Sequence, residues 1–377
     1  MPQAAVVIVG AGAAGLSAAG ALQQRGIESV LLEQDAGIGG TWARRYDRLH
    51  LHTVRTHSGL AHYPISRHHP TYLARDDYVA YLNEYASHFG LRVITDCPVE
   101  TILIESQAPV RWQVSGLSEH WQARVVIVAT GQYRVPRAPM LPGLETYGGE
   151  FNHSVCYRNA SSYAGKRVLV VGAGNSGAEI ATDLAEHGAA FVAISIRTPP
   201  PIVPRDPFGS PVQRTSMLLS LLPPRIADRI GKMTARLVLG DLSRYGLPHV
   251  EWGPYSNGRV PVIDVGFVDA LKKGRVQIRP ALMRLTATQA VYADGHAEPF
   301  DAIIAATGFD TGLDSLLGAA VTLNDAHEPA TRSGEPTSNP GLFFIGYTHS
   351  LRGHLFEANL ASRKLALHVS RYLEQSA

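Results

Sequence analysis

A chain of 377 residues with 45% apolar and 18% charged residues has ordinary globular composition and is long enough for two domains. Its formal net charge is only +2 and no segment carries a long Lys/Arg run, which argues against nucleic acid as the main partner. Cys97 and Cys156 are its only cysteines, so a disulfide framework and a redox-active C-x-x-C dithiol are both excluded.

The first predicted elements are a strand and a helix joined by a glycine turn. Residues 4–22 are almost wholly apolar, but no basic segment precedes them, so a buried strand and helix are favoured over a signal peptide. Gly10, Gly12 and Gly15 form G-x-G-x-x-G, and Glu33 ends the next predicted strand. Such glycines let the backbone approach a pyrophosphate at a helix N-terminus, and the carboxylate accepts hydrogen bonds from a ribose. This segment therefore predicts a dinucleotide site.

Histidines are crowded into the stretch that follows. Two of them, His50 and His52, would share one side of a strand, as metal ligands should. No cysteine or carboxylate completes a set at metal-ligand spacing, except for Asp47. We therefore expect no metal site in this stretch, whose members are His50, His52, His57, His62, His68 and His69.

Continuous Val/Ile runs followed by glycine turns alternate with helical patterns along most of the chain. Runs of this kind are typical of parallel strands buried on both faces. The predicted fold class is α/β with two dinucleotide-binding, Rossmann-like domains. The predicted strands lie within residues 4–12, 123–131, 166–174 and 301–308, and the predicted helices within 13–25, 76–90, 175–188 and 356–374.

A second glycine loop follows about 160 residues after the first, which indicates a duplicated dinucleotide-binding unit. Gly172, Gly174 and Gly177 repeat the G-x-G-x-x-G pattern. The next predicted strand ends in Arg197, where a carboxylate would select NADH. A guanidinium there suits a 2′-phosphate, so NADPH is favoured over NADH; the alternative is a solvated residue at a strand end.

The proline-rich region 199–265 is predicted to be an insertion in the second domain. It contains an apolar, helix-like piece over 216–239. There Ile226, Ile230, Met233 and Leu237 follow helical spacing with basic residues between them. We expect this stripe to pack on its own domain; the alternatives are a membrane surface or a subunit interface.

Several motifs in the expected order resemble those of the flavin-containing monooxygenases. A-T-G occurs at 129–131 and again at 306–308, and YGGEFNHSVCY (147–157) is similar to the family fingerprint F-x-G-x-x-x-H-x-x-x-(Y/F). Tyr147 replaces the opening Phe of that fingerprint, whereas Gly149, His153 and Tyr157 match it. Plant YUCCA-type enzymes and their bacterial relatives are the most similar subgroup, through GGTWARRYDRLHLH (39–52), GRVPVIDVG (258–266) and EPFDAIIAATGFD (298–310).

The resemblance implies an NADPH-binding domain inserted into a discontinuous FAD-binding domain. FAD would be bound by residues 1–158 and 300–377, and NADPH by 159–299, with the helical insertion at about 200–260. NADPH would reduce the flavin, O₂ would add to give a C4a-(hydro)peroxide, and one oxygen atom would pass to a small organic molecule. The reaction would be N- or S-oxygenation, indole oxidation or oxidative decarboxylation of a 2-oxo acid. An NADPH-dependent flavin reductase or electron-transfer protein without oxygen insertion is the alternative.

The resemblance also assigns residues to the cofactors and to catalysis. His52 lies where many relatives have an Asn beside the flavin, and it is the predicted catalytic residue, hydrogen-bonding the nicotinamide or the peroxide. The alternative for His52 is a packing histidine. The predicted cofactor-binding residues are Gly10, Gly12, Ala14, Gly15, Glu33, Gln34, Gly40, Thr41, Trp42, Leu51, Thr53, Val99, Ala129, Thr130, Gly131, Gly172, Gly174, Asn175, Ser176, Gly177, Arg197, Thr198, Thr307, Gly308, Gly346, Leu355 and Phe356.

The expected partners are a small-molecule substrate and O₂. We expect no C-terminal membrane anchor of the kind common in animal relatives, because the pattern at 356–374 is that of a polar-faced helix. We therefore expect a cytoplasmic protein. Symmetric dimers are the commonest oligomers, which makes a homodimer the default assembly.

Overall fold

The computed structural model describes residues 2–107, 110–117, 119–318 and 321–375. Each of the four predicted helices is present, within two residues of the expected bounds at every end. No helix in these ranges is long and apolar enough to cross a membrane. The helices are α1 (Ala13–Gln23), α2 (Gly40–Ala43), α3 (Arg75–His88), α4 (Asn175–Glu186), α5 (Val212–Leu219), α6 (Pro224–Leu239), α7 (Pro254–Asn257), α8 (Phe267–Lys272), α9 (Leu313–Leu317) and α10 (His354–Gln375).

The strands include all four that the Val/Ile runs predicted. They are β1 (Gln3–Val9), β2 (Val30–Leu32), β3 (Arg92–Ile94), β4 (Val99–Gln107), β5 (Val110–Gly116), β6 (His120–Val128), β7 (Val135–Pro136), β8 (Glu150–His153), β9 (Arg167–Val171), β10 (Phe191–Ser195), β11 (Ile202–Pro204), β12 (Val262–Asp264), β13 (Val276–Arg279), β14 (Leu282–Leu285), β15 (Gln289–Tyr292), β16 (Ala297–Pro299), β17 (Ala302–Ala305), β18 (Phe309–Asp310) and β19 (Leu342–Phe344).

The first compact unit comprises Met1–Arg44, Thr53–Val135 and Phe309–Ala377. Its sheet has the order β3-β2-β1-β6-β5-β4, and β19 pairs with the end of β6. β1, β2, β3, β6 and β19 run parallel, whereas β4 and β5 form an antiparallel edge. The central strands are apolar because helices cover the sheet; the four residues from Val6 to Val9 are almost fully buried. The helices α1 and α10 pack against each other.

The second compact unit comprises Arg45–His52 and Pro136–Gly308. Its main sheet is five-stranded and wholly parallel, in the order β13-β10-β9-β17-β8. The buried strand residues, among them Val168, Val170 and Ile194, pack with Ile180 and Leu184 of α4 in one core. Two parallel sheets in two units confirm the predicted α/β fold class.

The two units divide the chain at other positions than the predicted domain limits. β8 and β17 both pair within the second sheet, so its contribution begins before residue 158 and ends after residue 300. Residues 45–52 also belong to the second unit, although more than 80 residues of the first unit follow them. Which cofactor each unit binds stays a prediction at this point.

The insertion forms two helices where the sequence suggested one piece. Pro223 and Pro224 end α5 and open α6, because proline fits only the first turn of a helix. α6 packs against α7 and β11, and Ala227 and Leu239 are its buried residues. The expectation that the apolar stripe packs locally is wrong for three of its four members, since Ile226, Met233 and Leu237 are 47%, 60% and 71% exposed.

Candidate functional site

The first glycine loop joins β1 to α1 with no space for side chains at two of its three glycines. Gly10 has a φ of +105°, and a Cβ at Gly15 would lie 2.0 Å from the Gly10 carbonyl oxygen. A Cβ at Gly10 would lie 2.7 Å from the carbonyl oxygen of Ala129, which follows β6. Gly12 differs, because nothing lies within 4 Å of the position of its missing Cβ. The space beside Gly12 is therefore open for a pyrophosphate.

The second glycine loop repeats this geometry between β9 and α4. Gly172 has a φ of +107°, and a Cβ at Gly177 would lie 1.9 Å from the Gly172 carbonyl oxygen. Ala306 now stands against the first and third glycines, as Ala129 does in the first loop. Gly174 again has nothing within 4 Å. The recurring A-T-G motif thus supplies the small residue that lets each glycine loop close on the neighbouring strand, and both loops fit a dinucleotide.

Glu33 is held against the first loop by backbone hydrogen bonds. Its Oε2 accepts from Ala11 N at 2.7 Å and its Oε1 accepts from Asp35 N at 3.1 Å. Burial raises the pKa of its carboxyl group, while the Ala11 N–H and nearby Arg44 oppose that rise. Each carboxylate oxygen keeps a second lone pair, which is what a ribose hydroxyl requires.

Three predicted FAD residues come together beside α1. A Cβ at Gly346, where φ is +88°, would lie 2.8 Å from the Cβ of Ala14. The hydroxyls of Thr130 and Tyr347 share a hydrogen bond of 2.8 Å. Gln132 donates through Nε2 to the Gly346 carbonyl oxygen at 3.2 Å. Ala14, Thr130 and Gly346 therefore border one region, and the sequence did not single out Gln132 or Tyr347.

The other predicted FAD residues occupy several elements of the first unit. Gly40, Thr41 and Trp42 form most of α2, and the Trp42 ring meets Tyr78 edge-on at 5.0 Å. Val99 begins β4, two residues after Cys97, whose N–H donates to the Glu33 carbonyl oxygen. Gln34 is exposed, and the Thr53 hydroxyl shares a hydrogen bond with that of Ser58. The remaining positions are Gly131 and, in the first turn of α10, Leu355 and Phe356.

The fingerprint at 147–157 stabilises the second unit. A Cβ at Gly149 would lie 2.4 Å from the hydroxyl of Tyr147, so the glycine makes room for that ring. His153 donates from Nε2 to the carbonyl oxygen of Gly308, at the end of the second A-T-G, over 3.1 Å. Burial lowers the pKa of His153, which favours the neutral ring. Tyr157 donates to a carboxylate on α4 at 2.6 Å.

Residues 45–52 are attached to α4 and the segment before it by polar contacts. Arg48 forms an ion pair with Glu186 of α4 at 3.0 Å. Asn159 donates to the carboxylate of Asp47 at 2.7 Å. Leu51 is buried, as is Tyr46. The predicted catalytic residue His52 therefore lies on the unit that carries the second glycine loop.

His52 is bound to a buried carboxylate. Its Nε2 lies 2.6 Å from Oε1 of Glu179, which is on α4 and only 3% exposed. A carboxylate accepts, so Nε2 carries the proton in this pair. Nδ1 has no hydrogen-bond partner in the described part of the chain. A neutral His52 can thus only accept through Nδ1, and it donates there only when the ring is protonated.

Tyr46 extends this pair to the glycine loop. Tyr46 is buried, and its hydroxyl lies near the Ser176 hydroxyl and the Glu179 carboxylate. Burial and the negative charge of Glu179 raise the pKa of Tyr46 well above its usual value, so the phenol stays protonated. We call this row of neighbouring polar side chains, Ser176, Tyr46, Glu179 and His52, the loop-to-histidine chain. It includes a side chain of the loop and leaves the loop N–H groups to the phosphates.

Sequence reasoning missed Tyr46 and Glu179. One signal was available for Glu179. It is an acidic residue in the first turns of a helix whose N-terminus is predicted to bind an anion, so it needs a counter-group. The structure shows that His52 is this group. Nothing in the sequence identified Tyr46 as a further neighbour, because Tyr46 and Glu179 are more than 130 positions apart.

The residues predicted to select NADPH follow β10. Arg197 and Thr198 are exposed, directly after the strand that pairs with β9. Within the described residues, no carboxylate forms an ion pair with Arg197. Asn175 holds the start of α4 by donating to the Pro261 carbonyl oxygen at 3.1 Å and accepting from Ile263 N at 2.8 Å.

The histidine-rich stretch does not converge on one point. The ring of His50 bonds to the Arg48 carbonyl oxygen, whereas that of His57 packs on Phe356 in the first unit. Over the described ranges, no group of three His, Cys, Asp or Glu side chains could hold a metal ion.

Known monooxygenases are similar in sequence to nearly the whole chain. A family model described as pyridine nucleotide-disulphide oxidoreductase matches residues 7–202. Indole-3-pyruvate monooxygenase YUCCA1 of Oryza sativa subsp. japonica is 36% identical over 357 residues, which cover 91% of this chain and 86% of the relative. The sequence has no C-x-x-C pair, so the match to the family model reflects the shared dinucleotide-binding fold.

Solved structures agree with these sequence matches. A flavin-containing monooxygenase from Stenotrophomonas maltophilia is 25% identical, with a TM-score of 0.74, and the match covers 99% of this chain and 100% of that one. A steroid monooxygenase bound to NADP shares the fold, with a TM-score of 0.80 at 20% identity over 100% of this chain and 87% of that one.

Substituting a closely packed glycine of the loop and substituting the glycine that faces open space should cause different defects. Gly15→Ala places a methyl group against the Gly10 carbonyl oxygen, so we expect it to lower the free energy of unfolding by about 1–3 kcal/mol. Gly12→Ala meets open space in the protein, so we expect apoprotein of unchanged stability that loses FAD. Thermal unfolding of the apoprotein and the flavin-to-protein absorbance ratio measure the two effects. Equal destabilisation by both substitutions would contradict this division of roles.

Tyr46→Phe tests the loop-to-histidine chain. Removing the hydroxyl takes a polar neighbour away from Ser176 and Glu179, while Glu179 keeps its bond to His52, so we expect a loss of stability of about 0.5–1.5 kcal/mol. We also expect weaker NADP⁺ binding with unchanged FAD content, measured by titration calorimetry. Tyr157→Phe is the matched control, since it also removes a buried tyrosine–carboxylate bond to α4, further from the loop. Equal NADP⁺ affinity in the two variants would show that the chain does not support the loop.

Proposed function

Because this chain belongs to the flavin-containing monooxygenase family, we propose that it catalyses the oxidative decarboxylation of a small aromatic 2-oxo acid, with indole-3-pyruvate as the leading candidate. It is an NADPH-dependent monooxygenase with FAD and NADPH as cofactors. The observation that supports this substrate class is the identity of 36% with an indole-3-pyruvate monooxygenase over 91% of the chain. A relative's substrate transfers only as a proposal, because pocket contacts decide specificity.

The proposed reaction consumes one O₂ and one NADPH for each 2-oxo acid. The bond between C1 and C2 breaks and C1 leaves as CO₂. One oxygen atom from O₂ ends on C2, which becomes the carboxylate of an acid one carbon shorter. The second oxygen atom becomes water, with two electrons from NADPH and protons from NADPH and solvent.

We propose that the first unit binds FAD and the second unit binds NADPH. FAD supplies the redox chemistry and the activation of O₂, and the protein supplies binding and orientation. Each glycine loop presents backbone N–H groups to a pyrophosphate, beside the open space at Gly12 or Gly174. Glu33 accepts from the FAD ribose, and Arg197 binds the 2′-phosphate of NADPH.

We propose that His52 contacts the bound nicotinamide or the oxygen being transferred through Nδ1. Its Nε2 is already committed to Glu179. Glu179 is therefore a positioning residue for the ring, and it also fixes which nitrogen carries the proton. This role differs from that of an Asn amide, which can donate without a change of protonation state.

An NADPH-dependent reductase without oxygen insertion is not favoured. The relatives at 30–36% identity are named as monooxygenases, and the matches cover most of their length. Three residues of the fingerprint at 147–157 also make specific contacts in the second unit: Gly149 leaves room for the Tyr147 ring, His153 donates to the Gly308 carbonyl oxygen, and Tyr157 donates to a carboxylate of α4.

Substrate panels test the proposed reaction directly. With indole-3-pyruvate, NADPH and O₂, we expect one CO₂ and one shortened acid for each NADPH oxidised, measured by mass spectrometry and absorbance. A tertiary amine and a thioether serve as the comparison substrates. Preferential N- or S-oxide formation would refute the substrate class while keeping the monooxygenase function. Stoichiometric hydrogen peroxide with every compound would contradict oxygen transfer.

Arg197→Ser tests the choice of nicotinamide cofactor. Hydrogen bonds to charged groups contribute about 1.5–3 kcal/mol, so we expect the KM for NADPH to rise roughly tenfold or more. The KM for NADH should change little, since NADH lacks the 2′-phosphate. Arg275→Ser, at an exposed arginine of the same unit, is the control. A parallel rise in both KM values would remove Arg197 from 2′-phosphate recognition.

A further inference from the structure

α6 presents two exposed rows of side chains that the proposed reaction does not use. The apolar row is Ile226, Met233 and Leu237. The basic row is Arg225, Arg229, Lys232 and Arg236, and all four are exposed. At 100° per residue the basic row lies next to the apolar row, and both face away from the buried side of the helix at Ala227.

Most of the basic row has no neutralising partner. In the part of the chain that the structure describes, Arg225, Arg229 and Lys232 take part in no ion pair. The one acidic residue of α6, Asp228, is occupied by the backbone N–H groups of Tyr255 and Ser256, at 2.9 and 3.0 Å. The helix therefore carries an uncompensated positive charge beside exposed apolar side chains.

Apolar exposure continues into the turn that precedes α6. Leu218 at the end of α5 is 69% exposed, Leu221 is 81% exposed and Leu222 is 40% exposed. These residues lie four to eight positions before Ile226 along the chain. Large apolar side chains grouped in this way are unusual on a protein surface without a partner.

We propose that the surface formed by residues 218–237 binds the face of a membrane that contains anionic phospholipids. The apolar row enters the boundary between headgroups and acyl chains, and the basic row contacts the phosphates. Each basic residue near such a surface adds to the attraction, which falls off within a Debye length. The inference is independent of the substrate proposed above.

The charge of the basic row favours an anionic membrane over a second copy of the chain as the partner of α6. An isologous contact across α6 would bring two basic rows together, each without carboxylate partners. An anionic lipid surface neutralises the row and buries the apolar side chains in the same contact. Lipid is therefore the occupant that satisfies both rows.

Vesicle sedimentation of the purified holoenzyme tests the proposal. We expect at least roughly tenfold more binding to phosphatidylcholine vesicles containing phosphatidylglycerol than to phosphatidylcholine alone, and loss of most of it at high salt. The double variants Met233→Ser/Leu237→Ser and Arg229→Gln/Lys232→Gln should each lower binding several-fold, with NADPH oxidation and thermal unfolding unchanged.

Matched controls are available in the same unit. Met140→Ser changes a methionine that is 98% exposed, and Arg275→Gln changes an exposed arginine away from α6. Both should bind vesicles as the wild type does. Equal wild-type binding to both kinds of vesicle, or control variants that lose as much binding as the α6 variants, would overturn the proposal. So would a wild-type dimer that the Met233→Ser/Leu237→Ser variant converts to a monomer in sedimentation velocity, since the row would then bind a second copy.

Discussion

Two helices of this molecule begin so close to a neighbouring strand that no side chain fits between them. Gly15 and Gly177 each lie against the carbonyl oxygen of the first glycine of their own loop, and Ala129 and Ala306 close the other side. Because of this contact, the second glycine of each loop faces open space at a helix N-terminus, where an anion is bound favourably. The cofactor sites depend on this absence of side chains. The A-T-G motifs recur for the same reason, since a larger residue than alanine would push the strand away from the loop.

The sequence was sufficient for the features that depend on local chemistry. Val/Ile runs and glycine spacing predicted the parallel strands, the helices after them and the two loops, because a buried strand and a phosphate loop each need particular residues in a short window. The unit limits could not be obtained in this way. β8 joins the second sheet by pairing with β17, about 150 residues later, and periodicity carries no information on such pairing. Periodicity also marks an apolar face on α6 without showing whether another element covers it.

The histidine of the candidate site shows the same limit at the level of one side chain. Its position could be predicted by resemblance, but its partner could not. Glu179 belongs to a helix that starts more than 120 residues further on, and only the fold brings its carboxylate within 2.6 Å of Nε2 of His52. That contact decides the chemistry available at Nδ1. A buried carboxylate that is bonded to a histidine and lies near a buried tyrosine is also strongly coupled to both, so changes at any of the three should not be additive.

The attachment of residues 45–52 to the second unit has a consequence for recombining this protein with others of its fold. The chain passes between the units at four points, after residues 44, 52, 135 and 308. A chimera that exchanges only residues 136–308 would separate Glu179 from His52 and Tyr46, and would leave an acidic side chain buried beside foreign residues. An exchange that includes the octapeptide 45–52 keeps all of these contacts. The unit that can be inherited or engineered as one module is therefore discontinuous, with its smaller piece far away in the sequence.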